Sequence, residues 1–436
     1  MKKLQILMVF LLAFLLNSST ILFGGSSLEF FYQQVLDVKT DPPPPANPSI
    51  LDQLKSIGKT ITNGIEVAKG VYDFRLNPTV GERILRSPTD PKITYRIKCV
   101  KVTDEKQLLE LMGAKGDESK LTNGQKGLLA AYRFSTSKAI KDRLAISTRS
   151  VIPTVLTDTT GFEDPQKFSN LERDFWPMSM GSTIQLSSRC MSVPNYDLEG
   201  KTTLVHELSH TLDKNIPLGL LREVIHNHFT DGTLIYGKDM MHYQNEVTTP
   251  RASFMEGWAE FNEALEFPEE RNQMFSETKK LFKEDPKTGE KKYYEATDPE
   301  LSATDLLNCE GVITVILCRV ASETTDGRKK VFDAFLASNS SNHTLKSFFK
   351  KFIAQHPGDL EKVKKILNEE THGKLSEKEL SDLLGITQAQ ASTPVPTPTP
   401  APTPIPTKTA LNSAETPNSP TVSGPVKVNS PKTFGK

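Results

Sequence analysis

One short stretch carries the residues best spaced for chemistry: Thr202-Thr203-Leu204-Val205-His206-Glu207-Leu208-Ser209-His210-Thr211-Leu212-Asp213. On a helix, four positions advance about 40° around the axis and about 6 Å along it, so His206 and His210 can reach one ion from the same face. Leu204, Leu208, Thr211 and Leu212 fall on the opposite side and can bury there. Glu207 lies about 100° around from His206, so it flanks such an ion without ligating it. The pattern is that of a Zn2+ site, in which the metal brings the pKa of a bound water towards about 7 and Glu207 serves as general base.

Zinc held for catalysis takes three protein ligands and keeps a fourth position open. The best third ligand is Glu256, in Phe254-Met255-Glu256-Gly257-Trp258-Ala259-Glu260-Phe261-Asn262-Glu263. On a helix, Glu256, Glu260 and Glu263 make one acidic stripe, and Phe254, Trp258, Phe261 and Leu265 make the opposite, buried one. One carboxylate can bind metal while another, Glu260, orients a ligand histidine, and Gly257 lets this helix approach a neighbour closely. Asp213 shares the histidine face and suits a supporting role around the site. Asp231, His226 and His228 are weaker alternatives as ligands. A metzincin would need Gly at position 213 and His at position 216, where this chain has Asp213 and Ile216, so that class is excluded.

Val205 to Asp213 together with Glu256 to Phe261 resembles the gluzincin metallopeptidases, a zincin group, and most of all the catalytic domain of anthrax lethal factor and its relatives. Glu256 follows His210 by 46 positions (256 − 210), which suits that subgroup better than thermolysin-like enzymes. The resemblance spans about sixty residues. It implies zinc, hydrolysis of a protein or peptide substrate, and a helical lobe behind a small sheet whose edge strand binds the substrate backbone. By position, Gly181 to Ser187 would be that strand. Lethal-factor-like enzymes carry an oxyanion-steadying tyrosine seven residues before the glutamate ligand, where this chain has Thr249. Tyr243, His242, Tyr236 or Arg251 could take that role.

Elements that must position these groups follow from the apolar pattern. Helices are expected at Glu105 to Met112, Leu198 to Lys214, Phe254 to Phe267, Ser302 to Ser322, Arg328 to Ala337, Thr344 to Gln355 and Gly358 to Asn368, and strands at Ile93 to Val102 and within Ala145 to Thr157. Strands early and helices late predict an α+β fold: a zincin-like domain with a small sheet and a mainly helical C-terminal lobe. The expected organisation is a signal peptide over 1–25, a linker over 26–48 ending in the Pro42–Pro45 run, an N-terminal α+β region over 49–135, a catalytic domain over 136–386 and a disordered Pro/Thr-rich tail over 387–436.

Lys2 and Lys3 before an apolar run predict export, to a secreted, periplasmic or cell-surface location, with a membrane partner only if that segment stays uncleaved. Lys plus Arg equals Asp plus Glu at 53 each, so no global field favours nucleic acid. Four cysteines, Cys99, Cys190, Cys309 and Cys318, allow either two disulfides or buried thiols. A single helix from Asp305 to Val320 would keep Cys309 and Cys318 roughly 13 Å apart along its axis. Glu310 is expected as a capping or surface residue. Two other readings of the whole chain are a non-catalytic surface binding or adhesion protein with a structural metal, and a hydrolase of cell-wall peptides.

Overall fold

The computed structural model describes residues 26–40, 78–87, 92–162, 164, 168, 171, 174–179, 183–213, 243–285, 288–338 and 343–387. The signal segment to Gly25, the Pro42–Pro45 run, His226, His228, Asp231, Tyr236, His242 and the tail beyond Thr387 lie outside them. The strands are β1 (Ser27–Thr40), β2 (Gly81–Arg86), β3 (Ile93–Lys101), β4 (Val151–Asp158), β5 (Met178–Ser179), β6 (Ile184–Ser187), β7 (Lys280–Glu284) and β8 (Lys291–Glu295). The helices are α1 (Glu105–Leu111), α2 (Asn123–Phe134), α3 (Lys138–Ile146), α4 (Tyr196–Thr211), α5 (Pro250–Glu266), α6 (Pro268–Glu277), α7 (Ala303–Leu307), α8 (Glu310–Glu323), α9 (Gly327–Ser338), α10 (Leu345–Gln355), α11 (Leu360–Glu370) and α12 (Glu377–Leu384). The fold is α+β, and among the described residues no helix is long and apolar enough to cross a membrane.

Residues 26–48, expected as a linker, instead supply β1, the strand that joins the two halves of a six-stranded sheet ordered β2-β3-β1-β4-β6-β5. β1 runs antiparallel to β3 (Phe31 opposite Lys101) and parallel to β4 (Phe31 opposite Val155). The sheet therefore mixes strands from both sides of the expected boundary at residue 135. Phe30, Tyr32, Ile152, Leu156, Ile184 and Leu186 share one core with Leu128 of α2 and Leu204 and Leu208 of α4. Val35, Tyr95 and Ile97 form a smaller core with Leu171 and Phe175.

The C-terminal half is a helical lobe around Phe254, Trp258, Phe261, Ile313, Phe335, Phe348 and Phe352. The stretch expected as one helix over Ser302 to Ser322 is two, because the chain turns at Asn308-Cys309. There Val247 bridges Cys309, and the Gln244 carbonyl accepts from the Gly311 amide at 2.9 Å and the Cys309 thiol at 3.1 Å. None of the four cysteines forms a disulfide.

α4 is held against α2 by a glycine pair. A Cβ on Gly200 would sit 2.0 Å from the backbone oxygen of Gly127, so only hydrogen fits there. Gly200→Ala should therefore cost about 1–3 kcal/mol by overpacking, read from the shift of the denaturant midpoint. Gly358, whose Cβ would meet nothing within 4 Å, is the control. Gly358→Ala should change stability by less than about 0.5 kcal/mol, and equal effects of the two would sink this account of the packing.

Candidate metal centre

The last two turns of α4 and the middle of α5 meet in the seam between the sheet core and the helical lobe. Leu204, Leu208, Thr211 and Leu212 are buried as their side of the helix requires, with Leu212 reaching the lobe core. α5 begins with Pro250 in its first turn, and the Thr249 hydroxyl accepts from the Ala252 amide at 3.2 Å. Position 249 thus serves as an N-cap, the role for which a hydroxyl is preferred. Trp258 turns the apolar side of α5 inward: its ring stacks on Phe335 with centroids 3.6 Å apart, and its indole N–H donates to the Ser209 carbonyl at 3.2 Å. That last bond ties α5 directly to the backbone between the two histidines of α4.

Opposite this apolar face, the polar groups converge. His206 Nε2 is 3.2 Å and His210 Nε2 is 3.1 Å from Glu256 Oε2. One ligand-type atom from each of the three residues lies within 4.8 Å of the others. Ligands at zinc bond lengths in a tetrahedron stand about 3.3 Å apart, so the nitrogen-to-oxygen spacings fit such an ion. Both imidazoles offer Nε2, and all three side chains are largely buried. Glu207 is 5% exposed beside them.

The carboxylate of the acidic stripe that meets the far nitrogen of a histidine is Glu263, where Glu260 was expected. His206 Nδ1 lies 2.5 Å from Glu263 Oε1, and a proton on Nδ1 leaves Nε2 directed at Glu256. Glu263 was already in the acidic stripe read from sequence, but the stripe alone does not say which carboxylate meets the ring. Burial depresses the His206 imidazolium, yet Glu256, Glu263 and Glu207 outweigh it and hold the ring well above its usual pKa. Glu260 sits deeper, accepting from the Thr314 hydroxyl at 3.1 Å. Burial first, then the charges of Glu310 and Glu263, hold its carboxyl well above the usual range, against a lowering by His206 and by a hydrogen bond from Gln244.

Glu310, expected at the surface or as a cap, is 2% exposed in the first turn of α8. It is brought close by Gly257, where a Cβ would lie 2.7 Å from the Glu310 carbonyl oxygen.

Asp213 does not bond the His210 ring: among the described residues, His210 Nδ1 is buried with no hydrogen-bond partner. Asp213 instead accepts from His343 Nδ1 at 2.9 Å and faces Arg251 at 4.0 Å. Among the oxyanion candidates, Tyr243 packs edge-on to Phe282 with Lys291 4.1 Å over its ring, and Arg251 belongs to the Asp213 cluster. Gly181 lies outside the described residues. The strand expected at the sheet edge, β6, lies between β4 and the two-residue β5, which pairs with Ile184 and Gln185, so among the described residues the sheet ends in β5. No protein-family profile, curated protein or solved structure matches this chain.

Because the folded state holds the Glu260 proton to higher pH than the unfolded chain does, this group's contribution to stability is present below its unfolded pKa. It is lost as pH rises through the folded value. Glu260→Gln removes that titration. The stability advantage of Glu260→Gln over wild type should therefore grow between pH 4.5 and pH 8 in urea titrations with chelator present. A constant difference across that range would refute the burial argument.

Proposed function

We propose that this chain is an exported zinc-dependent peptidase of the gluzincin type, with His206, His210 and Glu256 holding the metal and Glu207 as general base. The observation that carries the reading is the convergence of two Nε2 atoms and one carboxylate oxygen within 4.8 Å, drawn from two helices on which His210 and Glu256 stand 46 positions apart in sequence (256 − 210). The α+β architecture, with a sheet on one side of α4 and a helical lobe on the other, supports a zincin-like domain without requiring it. Zinc in this position would supply Lewis acidity towards a carbonyl oxygen and an acidified water.

The chain's own residues do the rest. His206 is oriented by Glu263, and its Nε2 proton would leave on metal uptake, so loading should release acid. Glu207, buried and adjacent to both histidines along the helix, takes the proton from water and passes it to the departing amine. The aromatic face of α5 keeps the lobe side dry, which strengthens each of these polar contacts.

The burial of Glu207 favours one rival reading, a closed structural metal site with no chemistry. Glu207→Gln separates the two. The variant should retain one equivalent of zinc by metal analysis and lose hydrolysis of an unfolded protein substrate by about 10²–10⁴-fold. His206→Ala and Glu256→Ala should lose the metal itself. Full hydrolysis by Glu207→Gln would end the mechanism. A wild type that cuts nothing, with stability that falls on chelation, would favour the structural site.

A further inference from the structure

Outside the metal cluster, one other buried polar constellation touches both ligand-bearing helices. Asp213 is 1% exposed and lies three residues after His210, its amide donating to the His210 carbonyl at 3.1 Å. Its carboxylate Oδ2 is 4.0 Å from Arg251 Nη2, in the first turn of α5 and five positions before Glu256. The same oxygen lies 2.9 Å from Nδ1 of His343, which precedes the N-cap of α10 and is itself 0% exposed. A carboxylate can only accept, so Nδ1 carries its proton towards Asp213.

On the far side of the ring, His343 Nε2 is 2.9 Å from the Ser338 hydroxyl at the end of α9, whose oxygen is also 3.0 Å from the Phe335 carbonyl, so the single hydroxyl proton serves one of these two acceptors. Phe254 of α5 and Phe335 of α9 flank the imidazole, with ring centroids 5.1 and 4.5 Å away. Arg149, between α3 and β4, also interacts electrostatically with Asp213. Four parts of the chain therefore face one carboxylate, the end of α4, the start of α5, the residue before α10 and the segment before β4, with α9 packed behind the His343 ring.

We infer that His343 is a positioning residue for the metal centre, acting through Asp213 to fix the end of the His206–His210 helix against the start of the Glu256 helix. This inference rests on the zinc reading proposed above. The hydrogen bonds of His343 go to Asp213 and Ser338 and to none of the three proposed ligands. It determines where Asp213 can sit, and Asp213 spans the three residues to His210 and the salt link to Arg251. In an apolar surround such a bond is strong and directional, so displacing it changes the separation of the helices rather than being absorbed locally.

The test uses the full chain and two histidine variants. Gln at 343 can reach Ser338 but not Asp213, whereas Asn places an amide N–H near the Nδ1 position. His343→Gln should raise the zinc Kd about tenfold, at the lower end for groups that orient metal ligands from outside, and should move the visible absorption bands of the cobalt-loaded protein. His343→Asn should restore both to near wild type. Val363→Ala, a cavity variant within the buried lobe core, should lower thermal stability while leaving the zinc Kd and the cobalt spectrum unchanged.

A folded His343→Gln with wild-type zinc Kd and cobalt spectrum would overturn the positioning role alone. Should His343→Gln fail to fold, the isosteric Asp213→Asn provides the same reading, and an unchanged Kd there would overturn it equally. A wild type that takes up no zinc lost on His206→Ala would remove the metal assignment, and the positioning role with it.

Discussion

Two helices must cross closely enough to put imidazole and carboxylate groups about 3 Å apart inside the protein, and the surrounding structure is arranged to hold that crossing. Burying ionised groups costs several kcal/mol each unless they are paired and hydrogen-bonded. Here Glu207, Glu256, Glu260, Glu263 and Glu310 are buried or nearly so, against the imidazoles of His206 and His210. The carboxylates outnumber the imidazoles, and burial together with the charges of Glu310 and Glu263 holds the Glu260 carboxyl well above the usual carboxylate range. Such an arrangement is little screened, in contrast to a surface acidic stripe, which water would screen.

Backbone proximity makes the crossing possible on both sides. Gly200 against Gly127 sets the distance from α4 to α2, and Gly257 against Glu310 and Ile313 sets that from α5 to α8. Between these two fixed contacts, Trp258 bonds the Ser209 carbonyl and Arg143 donates to the Asn262 carbonyl at 3.0 Å near the end of α5. The ligand-bearing segments are thus fastened by main-chain contacts as well as side-chain packing. Under the proposed metal reading that matters, because ligand geometry is only as exact as the elements that carry it.

What the sequence makes legible follows the range of the interactions concerned. His206, Glu207 and His210 are fixed relative to one another by helical geometry alone, and Glu256 and the buried Phe254-Trp258-Phe261 stripe follow from the same periodicity. The choice between Glu260 and Glu263 as partner of His206 depends on the angle at which the helices cross, and no local spacing encodes that. β1 is hidden for a different reason. Phe30, Phe31, Tyr32 and Val35 are buried from both faces of the sheet, so the strand shows no simple apolar-polar alternation, and it directly follows an apolar leader-like segment. Its partners β3 and β4 lie far along the chain. The break at Cys309 is likewise imposed from outside, by Val247 and Gln244.

The sheet places a further constraint on how an extended peptide could approach. β6 is paired along its length with β4, and on its other side β5 covers Ile184 and Gln185, so strand addition has little room on that side among the described residues. β5 offers two residues, Met178 and Ser179. A substrate recognised by pairing with this sheet would gain few main-chain bonds there, so recognition would have to draw on side-chain contacts around the seam and on the metal itself. Affinity for the ground state of a peptide would then be modest. Under the proposed peptidase reading, the interactions that count would be those formed as charge develops at a carbonyl beside Glu207, which is where stabilisation accelerates a reaction rather than merely tightening binding.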